Sequence, residues 1–133
     1  MKTDDHTPRL AKVLIVDDFE DNRQMYVEFL TYSGYQVLEA TDGAEAVAKA
    51  QELAPDLVVM DLSLPVMDGW EATRRLKNDP KTRHIPILAL TGHSFDGHSR
   101  GARDAGCDGF LAKPCLPERL LQAVRQMLSS PTG

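Results

Sequence analysis

The sequence predicts an α/β fold in which one doubly wound parallel sheet carries helices on both faces. Three observations predict it. Short apolar runs of strand length alternate five times with segments of helical periodicity. The connections between them are short, the signature of β-α-β units feeding one parallel sheet. One run, Leu57 to Met60, is apolar at every position rather than at alternate ones, as expected of a strand buried on both faces.

The elements follow in order. Residues 1–10 are polar, contain Pro8 and read as a flexible N-terminal tail. Lys12 to Val16 is the first strand and runs into Asp17-Asp18. Glu20 to Ser33 sets Met25 against Phe29 and Tyr26 against Leu30 at i,i+4, an amphipathic helix stopped by Gly34. Tyr35 to Ala40 is the second strand. Asp42 and Glu45 have capping-box spacing for a helix that ends near Ala54, ahead of Pro55. The third strand, Leu57 to Met60, meets Asp61, then a loop with Pro65 and a turn at Asp68-Gly69. A third helix starts near Gly69, carries Trp70, Thr73 and Leu76 on one face, and breaks at Asn78-Asp79-Pro80. The fourth strand spans Ile85 to Leu90 and meets Thr91-Gly92, with Pro86 at its start, where a missing N–H is tolerated. A fourth helix is expected from about Ser94 to Ala105, weakened by Gly97 and Gly101. The fifth strand, Asp108 to Ala112, meets Lys113-Pro114. The last helix opens at Pro117 and turns Leu120, Leu121, Val124 and Leu128 inward. Right-handed crossovers leave few ways to assemble these pieces, and the flavodoxin-like strand order 2-1-3-4-5 is the expected one. One domain, 11–129, is expected between the N-terminal tail and a C-terminal tail at 130–133.

Composition narrows the function. The chain has 133 residues, 42% hydrophobic and 26% charged, enough for one core. Its net charge of −5 and lack of a basic block argue against direct nucleic-acid binding. No apolar run approaches membrane-spanning length, and the N-terminus lacks the apolar core of a signal peptide. A cytoplasmic protein with no membrane insertion is expected, its Cys107 and Cys115 reduced.

The residues at the strand ends are the informative ones. In the order 2-1-3-4-5, Asp17 and Asp18, Asp61, Thr91 and Lys113 converge on one rim. Strand ends are where open α/β sheets bind ligands. Three carboxylates there repel: two unit charges about 4 Å apart cost roughly 4 kcal/mol at an effective dielectric of about 20. Either a proton is retained or a cation sits among them. The donors are all oxygens, which suits Mg²⁺. A divalent cation and the Lys113 ammonium balance three carboxylates to zero. Such an aspartate is a plausible phosphoryl acceptor, Asp61 being the candidate, with Lys113 and the metal neutralising the phosphoryl oxygens. A hydrogen bond from Thr91 to the new oxygens would draw its loop inward only in the phosphorylated state, which makes a switch.

Four blocks resemble one family closely. Val-Leu-Ile-Val-Asp-Asp (13–18), Val-Val-Met-Asp-Leu-Ser-Leu-Pro-Val-Met-Asp-Gly (58–69), Ile-Pro-Ile-Leu-Ala-Leu-Thr-Gly (85–92) and Gly-Phe-Leu-Ala-Lys-Pro (109–114) look like the receiver domain of two-component response regulators, over about residues 10–129. The resemblance implies that Asp61 is phosphorylated by a histidine kinase or histidine phosphotransfer protein. It implies that Asp18, Asp61 and the backbone carbonyl of Ser63 bind Mg²⁺ directly and that Asp17 acts mainly through water. It makes Thr91 the switch hydroxyl, Phe110 the switch aromatic and Lys113 the phosphate-binding ammonium, with a cis Lys113-Pro114 bond. Ser63 and His93 fall at positions that modulate phosphoryl lifetime, and Gly92 leaves room beside Thr91. A downstream protein target and a dimer or partner face built from the helix at 94–105, the fifth strand and the last helix are also implied.

Other readings fit the residues less well. Alone, Asp17-Asp18 would be a solvated turn, but it is joined to Asp61 and Lys113. Asp68 beside Gly69 reads as turn or cap chemistry, and Trp70 and Tyr26 as packing residues. His84, His93 and His98 lack zinc spacing, and Arg100, Arg103, Arg119 and Arg125 make a modest basic surface. An aspartyl-phosphate enzyme of the haloacid dehalogenase type places a second Asp two residues after its nucleophile, where this chain has Ser63. A flavodoxin-like cofactor binder needs a phosphate-cradling first loop, and Asp17-Asp18-Phe19-Glu20 would repel phosphate. A stand-alone signalling receiver is therefore expected, a domain excised from a longer hybrid kinase or regulator being its near variant. Its only chemistry would be its own phosphorylation and dephosphorylation.

Overall fold

The computed structural model describes residues 10–62, 69–91 and 106–129. The expected helix at 94–105, the loop with Ser63, Pro65 and Asp68, residues Gly92 and His93, and nearly all of both tails lie outside the described residues. The elements are β1 (Lys12–Val16), α1 (Glu20–Tyr32), β2 (Gln36–Ala40), α2 (Gly43–Leu53), β3 (Leu57–Asp61), α3 (Gly69–Asn78), β4 (Ile87–Thr91), β5 (Gly109–Ala112) and α4 (Pro117–Ser129). The five strands form one sheet in the order β2-β1-β3-β4-β5, every pair parallel, as the alternation of elements predicts. No helix among the described residues is long and apolar enough to cross a membrane.

Side-chain parity along the strands divides the core in two. Leu14, Val16, Val58, Met60, Ile87 and Ala89 face one way, against Ala46 and Ala50 of α2 and Ala72 and Leu76 of α3. Val13, Ile15, Leu57, Val59, Leu88 and Leu90 face the other, against Tyr26 and Leu30 of α1 and Leu120 and Val124 of α4. Both faces of β1, β3 and β4 are thus covered, which is why their sequences are continuously apolar.

The details differ from expectation in instructive places. β4 begins at Ile87, two residues late: the Ile85 N–H turns to the Thr82 carbonyl, and Pro86 has no N–H for the ladder although its carbonyl still accepts from Val58. Asp61 and Thr91 are the last residues of their strands rather than the first beyond them. Of the two i,i+4 pairs on α1, only Tyr26 and Leu30 are buried; Met25 is exposed and, with Phe29, lines an open groove on the outer side. The capping box at α2 is half as expected. The Glu45 N–H donates to Asp42 Oδ1 at 2.8 Å, but the Glu45 carboxylate reaches back one residue further, accepting from the Thr41 N–H at 2.7 Å.

Helix α2 is capped at its C-terminus by Ala54, whose φ of 48° and ψ of 62° are left-handed, a conformation costly for a residue with a Cβ. Replacing it with glycine removes that strain and adds back some unfolded-chain entropy. Ala54→Gly should therefore raise the urea midpoint at unchanged slope, by a net stabilisation of about 0.5–1 kcal/mol; a lowered midpoint would show that the side chain matters more than the backbone here.

Candidate functional site

The sheet register assembles the site. Val16 lies opposite Met60, so the next step brings Asp17 level with Asp61; Asp61 lies opposite Leu90, and Thr91 opposite Ala112, just before Lys113. The Lys113 N–H extends the ladder by one bond to the Thr91 carbonyl, 2.7 Å. Four of the chain's five expected residues thus arrive at one rim by strand pairing alone, and Asp18 follows Asp17 in sequence.

Asp61 is buried, 2% exposed, and its Oδ2 accepts a hydrogen bond from Lys113 Nζ at 2.8 Å. One carboxylate oxygen each from Asp17, Asp18 and Asp61 can be chosen so that all lie within 4.8 Å of one another, with Asp17 and Asp61 buried and Asp18 exposed. Asp17 Oδ1 accepts from the Phe19 N–H at 2.9 Å, whereas its Oδ2 is buried without a hydrogen-bond partner among the described residues. A buried oxygen without a donor is costly unless something electropositive meets it. Burial pushes the Asp17 carboxyl above its ordinary range, and the Asp61 and Asp18 charges push the same way, against the Phe19 hydrogen bond and the Lys113 ammonium. Three carboxylates that can each offer an oxygen to one point, and an Asp17 with one oxygen lacking a donor among the described residues, fit a hard divalent cation such as Mg²⁺.

Thr91 is buried at the end of β4. By strand parity it shares the α2/α3 face with Ala89, and Phe110, paired with Ala89, packs half-buried on that same core. Asp61 and Lys113 have the opposite parity and belong to the α1/α4 face.

Comparison with known proteins agrees with this geometry. Residues 13–125 match the response regulator receiver domain. The chain belongs to that family. It is 35% identical over 116 residues to the polar-differentiation response regulator DivK of Brucella anthropi, an alignment covering 87% of this chain and 94% of DivK. The chemotaxis response regulator CheY4 of Vibrio cholerae superposes with a TM-score of 0.86 at 38% identity, over 90% of this chain and all of CheY4. The receiver domain of the sensor histidine kinase PA1611 of Pseudomonas aeruginosa, solved with a magnesium ion coordinated in its active-site cleft, superposes at 0.84 with 32% identity, over 92% of this chain and all of that domain. Receiver domains are signalling switches of two-component systems, and phosphorylation is the property of the family.

Several supporting residues escaped the sequence reading. Arg23 donates through Nη1 to the Asp17 carbonyl at 3.0 Å and pairs through Nε with Glu39 Oε1 at 2.9 Å, so a partly buried guanidinium holds the backbone of the acidic loop. Gly69, read as a turn residue, abuts the acceptor strand: a Cβ there would stand 2.3 Å from the Asp61 carbonyl oxygen and 2.7 Å from Leu62 Cα. The only hint in the sequence was the Asp-Gly pair itself. The two cysteines are free, and burial pushes both thiols up, so neither is poised as a nucleophile.

Two predictions follow from the crowding at this rim. Because the native Asp17 pKa lies above the ordinary 3.8, folding holds this proton more tightly than the unfolded chain does. Its contribution is favourable below that ordinary value and is lost as pH rises through the native pKa. Asp17→Asn should therefore raise the Tm of the metal-free protein at pH 7, by about 3–6 °C per kcal/mol relieved, and the gain should shrink in acid; scanning calorimetry at both pH values decides it. Gly69→Ala should destabilise by about 1–3 kcal/mol through its clash with backbone, measured by urea denaturation; an unchanged midpoint would mean that β3 and α3 part easily.

Proposed function

We propose that this receiver accepts a phosphoryl group on Asp61 from a histidine kinase or histidine phosphotransfer protein and signals by protein–protein contact. The observation that carries the reading is the Lys113–Asp61 ion pair, 2.8 Å long, at a cluster where Asp17, Asp18 and Asp61 can each offer an oxygen within 4.8 Å of the others. The carboxylates of Asp17, Asp18 and Asp61, with the backbone carbonyl of Ser63, would hold Mg²⁺, and when bound the ion supplies positive charge against the phosphoryl oxygens.

In this reading an Asp61 carboxylate oxygen forms a new P–O bond while the donor's bond to phosphorus breaks and its electron pair leaves with the donor. Lys113 orients the acceptor before transfer and neutralises phosphoryl charge after it. Thr91 donates a hydrogen bond to the phosphoryl group, and Phe110, on the same face of the sheet, follows the Thr91 movement. Ser63, Gly92 and His93 modulate access and lifetime. The folded unit is 11–129, with tails on either side. Its chemistry is confined to its own phosphorylation and dephosphorylation, and the protein works in the cytoplasm. A face including β5 and α4 would meet the downstream target or a second copy.

Incubation with Mg²⁺ and acetyl phosphate, followed by intact-mass measurement, should give one phosphoryl adduct. The adduct should require Mg²⁺ and be absent from Asp61→Asn. Survival of the adduct in Asp61→Asn would move the acceptor elsewhere. Absence of both an adduct and a beryllofluoride complex in the unsubstituted protein would make it a receiver that works without phosphorylation.

A further inference from the structure

Lys113 sits in a short segment between β5 and α4, and its usefulness depends on where that segment is held. On one side the Lys113 N–H bonds the Thr91 carbonyl. Pro114 has no N–H to contribute. Beyond it the Cys115 carbonyl accepts a hydrogen bond from the Tyr26 hydroxyl at 2.8 Å, in a buried contact between residues 89 positions apart. Tyr26 is 3% exposed and sits two turns into α1, the helix that follows directly from Asp17, Asp18 and Phe19. The phenol therefore ties the helix that follows the acidic loop to the segment that carries the ammonium.

We propose that Tyr26 is a positioning residue for Lys113, its hydroxyl fixing the Lys113–Cys115 segment so that Nζ meets Asp61. The inference rests on the phospho-acceptor reading above. Packing alone does not require the hydroxyl, because a phenylalanine ring would fill the same space between Leu30 and α4. The hydroxyl adds direction: it fixes one backbone carbonyl two residues from the lysine. Burial, with the Cys115, Asp17 and Asp61 charges, pushes the phenol up to about 12, so it stays a neutral donor while the site changes charge. An error of about 1 Å in a reacting group can cost on the order of 100-fold in rate, so a single well-placed tether is worth having.

The test compares Tyr26→Phe with the unsubstituted protein, each with Lys113 intact and as Lys113→Ala, at a temperature well below the Tm of all four. With Lys113 present, the initial rate of adduct formation from acetyl phosphate at saturating Mg²⁺ should fall about five-fold in Tyr26→Phe, the scale of one lost hydrogen bond. The Mg²⁺ dissociation constant by calorimetry should stay within about two-fold, since the metal is held by carboxylates the tether does not touch. In the Lys113→Ala background Tyr26→Phe should slow the reaction no further. Independently, in the metal-free protein the NMR signal of the Lys113 ammonium should broaden by solvent exchange in Tyr26→Phe. Equal rates with and without the hydroxyl, or equal slowing in both lysine backgrounds, would overturn the proposal, as would an unchanged ammonium signal. If the unsubstituted protein forms no adduct, the phospho-acceptor reading fails while the ammonium signal still decides the tether.

Discussion

Three carboxylates brought to the end of a parallel sheet, two of them buried, set a problem that the surrounding structure is arranged to contain. Their mutual repulsion falls where backbone and helices leave little room to relax. One ammonium, Lys113, meets one of them directly at 2.8 Å. Asp17 gains a backbone N–H on one oxygen and, among the described residues, no hydrogen-bond donor on the other. Burial of these groups costs free energy in the metal-free protein that an ordinary core would not tolerate. The compensation has to come from elsewhere, and it does: β1, β3 and β4 are apolar on both faces and buried along nearly their whole length. The core is built well enough to carry a rim that opposes folding.

The supports around the rim act on backbone as much as on side chains. Arg23, itself neutralised by Glu39, fixes the Asp17 carbonyl. Gly69 lets the start of α3 come against the Asp61 carbonyl. The Thr91 carbonyl and the Tyr26 hydroxyl bracket Lys113. Among the described residues, the end of β1, the end of β4 and the segment after β5 are thereby each held by a hydrogen bond. Charged groups held this way need not reorganise when new charge arrives, which is the condition for electrostatic stabilisation of a transferring group.

This division also explains what was legible in the sequence. The fold could be read because strand length, helical period and short connections agreed, and the rim could be read because Asp17, Asp61, Thr91 and Lys113 each sit where an apolar run stops. Those signals are local. The supporting contacts are not. Arg23 and Tyr26 occupy ordinary positions on an amphipathic helix, and nothing nearby in sequence says that one meets the Asp17 backbone or that the other reaches Cys115. Met25 and Phe29 looked as inward-facing as Tyr26 and Leu30, because a spacing of four fits both pairs and only the packed structure chooses between stripes one residue apart. Pro86 shortened β4 for a reason visible in advance, its missing N–H, but the turn of Ile85 toward Thr82 was not.

Strand parity also divides the site between the two faces of the sheet. Asp61 and Lys113 belong to the α1/α4 side of the sheet, while Thr91 and Phe110 belong to the α2/α3 side. A group added at the strand end lies where both sides can reach it, whereas along the strands themselves the backbone separates them. In the proposed reading, a phosphoryl group on Asp61 engages Lys113 from one side and Thr91 from the other. In that reading the Thr91 carbonyl and, through Cys115, Tyr26 hold the Lys113 backbone, and the proposed movement is that of the Thr91 side chain and of Phe110, which packs half-buried on the α2/α3 core. A group that engages the two faces of the sheet unequally would, in that reading, give the signal a direction.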